Sequence, residues 1–339
     1  MNTLPEAKPI LALAVGDPAG IGPELAARMI ADPAVRTAAD LIVVTDARVL
    51  RQGAEVAGVT LDLPVIMRRE ALGGGGSVIL DLGHLDPATI RIGVAARAGG
   101  AFALENYRTA LRLAADGHAG AVCFTPFNKA AMRMAHPPYD DEISYTQGVL
   151  GIDTPASEFN ILDGLWNARV TSHVPLSAVA ALITKDHVLR ALKLTHASLV
   201  AAGVAAPRIG VAGLNPHAGD GGNFGHEDDG EIAPAVAEAR ALGIDATGPF
   251  PPDTVFVRAT KGQFDAVLTM YHDQGQIAMK LIGFDSGVTM LGGFPFAICT
   301  PAHGSAYDIA GKGVANPGAA RAALLLAARA AAARMAMPA

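Results

Sequence analysis

The sequence predicts an α/β fold built on a largely parallel sheet. Short apolar runs bounded by Gly, Pro or Asp recur along the chain, longer stretches with helical spacing lie between several of them, and the two kinds of segment alternate. Runs that are apolar throughout, rather than at every second position, are those of strands covered on both faces. At 339 residues the chain is longer than an average domain and comfortable for two.

The strand candidates are residues 10–15, 41–44, 78–80, 121–124, 159–162, 208–212, 266–270 and 296–300. Helical spacing marks 95–115, 187–202 and 232–242. The Ala-rich tail 319–336 is broken by Arg321, Arg329 and Arg334, so it lacks the roughly 20 apolar residues of a membrane span and reads as a terminal helix packed on its domain. No internal repeat is present. Gly73 to Gly76 form a four-glycine run with no Lys-Ser or Lys-Thr behind it, which suits a mobile surface loop and not a phosphate-binding P-loop.

Composition narrows the function. Hydrophobic residues make up 51% of the chain and aromatics 5%, so the core is built from Ala, Val, Leu and Ile. A net charge of -6 and the lack of any Lys/Arg run leave no field for phosphate polymers, and nucleic acid is excluded as a partner. Cys123 and Cys299 each lie in an apolar stretch, where reduced buried thiols are expected, and two such residues cannot form a disulfide framework. The apolar run at 9–15 is short and leads into Gly16-Asp17-Pro18 rather than a small-residue cleavage site. It reads as a first strand, and a soluble cytoplasmic protein is expected.

Four groups of residues carry chemistry. The turn from Gly16 to Glu24 lies between a strand and a helical segment, with Pro23 suited to a first helical turn and Glu24 to the helix dipole; it is not a G-x-G-x-x-G fingerprint. His173, His217 and His272 stand in loop contexts, the last two just after strand candidates. In an open α/β sheet the carboxyl ends of strands border the ligand crevice, and three imidazoles suit a divalent metal with open positions. Each histidine alone also fits an ordinary hydrogen-bonded loop residue, and spacing does not show convergence. His187 and His196 fall in a helical stretch and read as packed or solvated. Lys129 follows another strand, where it can hold an anion or move protons or simply begin a helix at the surface. The fourth group is the run from His303 through Gly304, Ser305, Tyr307, Asp308, Ala310 and Gly311 to Asn316 and Pro317.

That last run resembles the adenosine-binding loop of the isocitrate and isopropylmalate dehydrogenases, which bind NAD(P) without a Rossmann fingerprint. The resemblance places His303 and Asn316 around adenine, with Gly304, Ala310 and Gly311 in the same loop and Asp308 on the ribose hydroxyls. A carboxylate at that place repels a 2′-phosphate, so NAD is expected over NADP. Together with Asp17, the three histidines, Pro252-Asp253-Thr254 and His272-Asp273-Gln274-Gly275, the run resembles the 4-hydroxythreonine-4-phosphate dehydrogenase family over nearly the whole chain. The resemblance implies two α/β domains with an active site in the interdomain cleft, approximately residues 1–125 with 300–339 and residues 126–299. It also implies a homodimer with a shared site, a divalent metal (Zn, Mn, Mg, Co or Ni) on His173, His217 and His272 drawn from both subunits, and Lys280 on the substrate. Lys129, Asp253 and Asp273 are the candidates for proton movement and metal support.

Some positions depart from the family's pattern. Its substrate-binding His-Thr pair falls on Glu142 and Ile143, and its phosphate-side Asn and Arg fall on Thr289 and Ile298. A phosphate dianion favours bidentate, charge-assisted donors, so these replacements point away from the vitamin B6 precursor and toward a dihydrodiol carboxylate or a sugar acid, unless an arginine such as Arg133 fills the gap. The expected reaction is NAD- and metal-dependent oxidation of a secondary alcohol in a small carboxylate-bearing substrate, followed by decarboxylation. The alternatives are the B6-pathway dehydrogenase itself, a phosphate acyltransferase-like enzyme and a non-catalytic metal-binding dimer.

Overall fold

The computed structural model describes residues 8–72, 75–162, 164–283 and 286–336. Gly73 and Gly74, half of the glycine run read as a loop, lie outside the described residues. The chain divides into two compact units, one holding the residues up to Thr154 and from Phe294 onward, the other Pro155–Gly293.

In the first unit the chain runs β1 (Ile10–Ala14), α1 (Gly22–Ala31), α2 (Pro33–Ala38), β2 (Asp40–Thr45), α3 (Ala47–Ala57), β3 (Val65–Ile66), β4 (Val78–Asp81), α4 (Arg97–Ala115), β5 (Ala121–Phe124), α5 (Lys129–Ala135) and α6 (Glu142–Leu150). The second unit contains β6 (Ser157–Leu162), β7 (Leu165–Arg169), α7 (Leu176–Leu182), α8 (Lys185–Ala201), β8 (Arg208–Ala212), α9 (Ala233–Ala241), β9 (Asp245–Phe250), α10 (Pro252–Ala259), β10 (Ala266–Thr269), α11 (His272–Gly283) and β11 (Val288–Gly292). β12 (Ala297–Pro301) and α12 (Gly318–Ala336) then rejoin the first unit. Residues 126–154, expected in the second domain, belong to the first unit because α5 and α6 pack on α4.

Strands of the first unit follow the order β3-β4-β2-β1-β5-β12 and every pair is parallel. β1 is buried from Leu11 onward, which is why it reads as one apolar run. Cys123 and Cys299 are register partners on β5 and β12, both free and buried, and burial pushes the Cys299 thiol up to about 12. α12 packs on β5 and β12 through its alanines, and a Cβ on Gly120 would lie 2.9 Å from that of Ala331. Small side chains at this seam let the terminal helix sit close to the sheet, as the tail's composition suggested.

The second unit orders its strands β11-β6-β7-β10-β8-β9. β11–β6 and β6–β7 are antiparallel and the other pairs parallel. The antiparallel pairing of β6 with β7 follows from their two-residue connection, which is too short for a crossover. β7 was not expected as a strand because its sequence, Leu-Trp-Asn-Ala-Arg, is not apolar throughout. Both polar side chains are nevertheless buried, and their N–H groups donate across the sheet. Asn167 donates to the Val267 carbonyl and the Thr269 hydroxyl at 3.2 Å each. Arg169, with 1% of its side chain exposed, pairs with Glu158 at 3.1 Å and donates to Asn160 at 2.7 Å.

The closest backbone approach in the first unit is at Gly100 of α4, where a Cβ would lie 1.9 Å from the Ala131 carbonyl oxygen of α5. Gly100→Ala is expected to destabilise by about 1–3 kcal/mol or more, because neither helix backbone can yield cheaply. Gly148→Ala in α6, where nothing lies within 4 Å, is the control and should be neutral or stabilising by up to about 1 kcal/mol. Thermal unfolding of the two variants checks the pair, and equal midpoints would contradict the packing described.

Candidate active site

In the first unit, two motifs that the sequence showed separately interlock. The Ile21 N–H donates to the Ser305 carbonyl at 3.0 Å, the Ala315 N–H to Glu24 Oε1 at 3.0 Å, and Arg28 to the Gly313 carbonyl at 2.7 Å. The Tyr307 hydroxyl donates to Asp17, which is only 2% exposed. Burial raises the Asp17 carboxyl above its ordinary pKa, partly opposed by the bonds from Tyr307 and the Ala19 N–H, while burial and Asp17 together push the Tyr307 phenol up. A Cβ on Gly20 would lie 2.6 Å from Ser305, so the turn needs glycine there. These contacts fix the 303–317 loop on the start of α1.

On that loop, Gly304, Asp308, Gly311 and Asn316 are exposed, His303 is half-buried and Ala310 is buried. Asp308 makes no hydrogen bond to the described residues, so its carboxylate is available to a ligand. The Asn316 side chain instead accepts the Gly318 N–H at 2.9 Å, and the His303 ring sits 3.1 Å from the Gly304 carbonyl. Gly311 also lines a cavity of about 420 Å³ together with Pro18, Gly20, Glu24 and Gln52.

Lys129 opens α5 behind the Asn128 N-cap and Glu142 opens α6 behind the Asp141 N-cap. Their side chains meet, Nζ to Oε2 at 3.1 Å. Glu142 and burial together push the neighbouring Tyr139 phenol upward, with burial the larger cause. Arg133 donates to the Tyr139 and Asp140 carbonyls at 3.3 Å each, so it braces the approach to α6 instead of filling the place of a missing arginine. Ile143 is half-buried. Ile298 corrects an expectation: it is fully buried in β12 opposite Val122, a core residue and not a substrate contact.

The second unit holds the histidines. His173 follows β7, His272 opens α11, and their rings lie 5.7 Å apart. Ligand nitrogens sit about 2.0–2.1 Å from a zinc-type ion, so rings at this separation need little rotation to share one. His272 Nδ1 lies 2.7 Å from the Asp273 carboxylate, which fixes the tautomer and leaves Nε2 free to act as a ligand. His217 is exposed on the Pro216–Gly222 turn, against which α10 packs with Asp253 exposed in its first turn. Among the described residues no three His, Cys, Asp or Glu side chains form a complete metal group, so one chain brings together two of the three expected ligands. Lys280 is exposed on α11, and Thr289 of β11 is half-buried beside Asn160, whose amide donates to it at 3.5 Å.

The His217 turn has an unusual backbone. His217, Ala218 and Asp220 have φ of 55°, 55° and 45°, with Gly219 and Gly221 also positive. Left-handed backbone costs a non-glycine residue about 1–2 kcal/mol, so the turn must be held. Asp228, which is fully buried, accepts the Leu214 and Asn215 N–H groups at 2.9 and 3.1 Å and the Asn215 amide at 3.0 Å. A Cβ on Gly213 would lie 2.5 Å from this carboxylate. Asp228 lies in no motif, and although Tyr307 and Asp17 each lie in one, the bond between them was not legible beforehand.

Similarity to known proteins gives the family. The family described as pyridoxal phosphate biosynthetic protein PdxA matches residues 37–327, and the chain belongs to it. A Rhizobium meliloti protein provisionally named 4-hydroxythreonine-4-phosphate dehydrogenase 2 is 59% identical over 96% of this chain and 94% of its own length. The D-threonate 4-phosphate dehydrogenase of Cupriavidus necator is 37% identical over 91% of this chain and 93% of its own. The crystal structure of a 4-hydroxythreonine-4-phosphate dehydrogenase from Burkholderia phymatum is similar with a TM-score of 0.82 at 33% identity, covering 96% of this chain and 99% of that one. The dehydrogenase class and the α/β fold are thereby shown, which sets aside the acyltransferase-like alternative. Among the described residues no helix is long and apolar enough to cross a membrane.

Asp228→Asn is expected to loosen the His217 turn, because an amide cannot accept from all three donors and each lost charge-assisted bond costs about 1.5–3 kcal/mol. Limited proteolysis should then cut within 213–222 faster than in the parent. Equal cleavage rates would show that the carboxylate does not hold the turn.

Proposed function

We propose that this chain is an NAD-dependent, divalent-metal-dependent dehydrogenase that oxidises the C3 hydroxyl of a four-carbon, 4-phosphorylated hydroxy acid and then assists loss of its carboxyl group as carbon dioxide. The observation that carries the reading is the 5.7 Å pairing of His173 with His272, the latter held in one tautomer by Asp273. We propose that a second copy of the chain completes the ligand set around His217. A bound divalent ion would supply Lewis acidity, favouring ionisation of the substrate alcohol and the negative charge left by decarboxylation.

The chain's own residues do the rest. Asp273 orients His272, and His303, Asp308 and Asn316 are placed to bind the adenosine half of NAD, the hydride acceptor. Lys129, at the start of α5 and hydrogen-bonded to Glu142, can pass a proton to or from substrate. Oxidation at C3 leaves a β-keto acid, from which C1 is lost as carbon dioxide with the electron pair moving toward the C3 carbonyl.

The relatives favour a phosphorylated substrate over the dihydrodiol expected from the altered pocket positions, and 4-hydroxythreonine 4-phosphate is the first reading. D-threonate 4-phosphate, a sugar-acid phosphate, is the second, and Glu142 favours it. A carboxylate in place of the family's histidine accepts from a further hydroxyl. NADH formation from the two compounds, with and without added metal, tests the proposal. Turnover of either at kcat/KM of about 10⁴ M⁻¹s⁻¹ or above, abolished by chelator, is expected. No NADH from either compound with metal present would sink the reading.

Asp308→Ser should narrow the preference for NAD over NADP by about tenfold or more, since it removes a carboxylate that repels the 2′-phosphate. The ratio of kcat/KM for the two cofactors is the measurement. A parent enzyme that favours NADP would contradict the ribose assignment.

A further inference from the structure

We propose that the side-chain amide of Gln274 ties the His217 loop in register with the segments bearing His173 and His272, which makes it a positioning residue for the metal site; this rests on the metal-site reading above. Its Oε1 accepts the Met270 N–H at 2.7 Å and its Nε2 donates to the Gly213 carbonyl at 2.8 Å. The Met270 carbonyl in turn accepts both the N–H and the hydroxyl of Thr171, at 3.1 and 2.8 Å. One chain of hydrogen bonds therefore runs from two residues before His173, through two residues before His272, to four residues before His217. Gly213 also donates its N–H to the Phe250 carbonyl at 2.8 Å, so both polar groups of that residue are committed. If His217 serves the ion of a second copy, the tie acts in the same way by setting the spacing of two half-sites.

A helix cap would explain half of this geometry. Gln274 is the third residue of α11, where Gln or Glu ordinarily accepts a backbone N–H just ahead of the helix. A glutamate would serve that role equally. It cannot donate to the Gly213 carbonyl, however, and would set oxygen against oxygen there. Gln274→Glu thus separates the two roles, and strictly, since a carboxylate near a cation would by charge alone strengthen binding.

The experiment strips the native protein and Gln274→Glu, Gln274→Met and His217→Ala variants of metal. It then titrates each with Co²⁺ against a competing chelator while recording the visible spectrum and the thermal midpoint of the metal-free form. The parent is expected to bind Co²⁺ stoichiometrically and His217→Ala to lose it. Gln274→Glu should bind at least tenfold more weakly with an altered spectrum, while its metal-free midpoint stays close to the parent's. Unchanged affinity and spectrum in Gln274→Glu would overturn the proposal and leave the metal site standing. A parent that binds no Co²⁺ would overturn the metal-site reading itself and the proposal with it. Should Gln274→Glu not fold, Gln274→Met decides. It loses both bonds without adding charge, so weaker Co²⁺ binding supports the tie and unchanged binding refutes it.

Discussion

Six successive residues from His217 to Gly222 hold positive φ, and bonds to Asp228 and Glu227 hold the segment that leads into them. Left-handed backbone persists at non-glycine residues only when the surroundings over-determine it. Here a fully buried carboxylate, Asp228, takes three donors from the strand-to-turn segment, and Glu227 accepts a further bond from the Asn215 amide at 2.8 Å. Its own backbone N–H, and after it the Asn215 amide, pull the Glu227 carboxyl below its ordinary range. Glycines at 213, 219 and 225 leave room for this arrangement, since a Cβ at each would press on Asp228, Asn215 or Glu227. A histidine on such a turn is presented at a fixed angle and gains little freedom when a ligand is absent, which is how a loop can offer a preorganised donor.

The first unit reaches the same end by other means. The 303–317 loop spans residues with little secondary structure of their own, and it is fixed because α1 lends it the buried Glu24, paired with Arg28, and the turn after β1 lends it Asp17. Glu24 stands in the first turn of α1, where the sequence placed it against the helix dipole. It is buried, and one oxygen accepts from both Arg28 and the Ala315 N–H. The alanine- and glycine-rich composition serves this packing. With few aromatic side chains to hold elements apart, α1 meets α3 and α4 meets α5 at backbone distance, as the clashes of added Cβ atoms at Gly53 and Gly100 show.

Apolar strands were legible from sequence to within a residue or two, because burial on both faces leaves an unbroken run; 121–124 and 208–212 match β5 and β8 end to end. β7 was not, because its burial is satisfied by Asn167 and Arg169 through cross-strand bonds that no periodicity reveals. β9, with Gly248 and Pro249 inside it, reads locally as a turn. The histidines stood out through their motif and loop positions, yet nothing in the chain announced the bonds around them. Gln274 lay inside a recognised run without a role, and Asp228 lay in an acidic stretch that resembles a solvated surface. Residues that act through a backbone partner leave no sequence signal, since their partners are peptide groups shared by every residue.

Charge neutralisation is the last constraint on what the site can accept. Lys129 is bonded to Glu142 and Arg169 to Glu158, so two cations near the expected chemistry are already matched within their own units. A phosphate gains most from unmatched, charge-assisted donors. Lys280, exposed on α11, is the remaining cation among the residues assigned to substrate. With Ile298 in the core, the function proposed above would have recognition lean on one lysine and on neutral donors such as backbone N–H groups. Such an arrangement discriminates weakly by charge and more strongly by hydroxyl pattern, because a buried acceptor left unpaired by the wrong substrate costs about 1–3 kcal/mol. Glu142, buried and only half engaged by Lys129, is the acceptor at which that cost would fall.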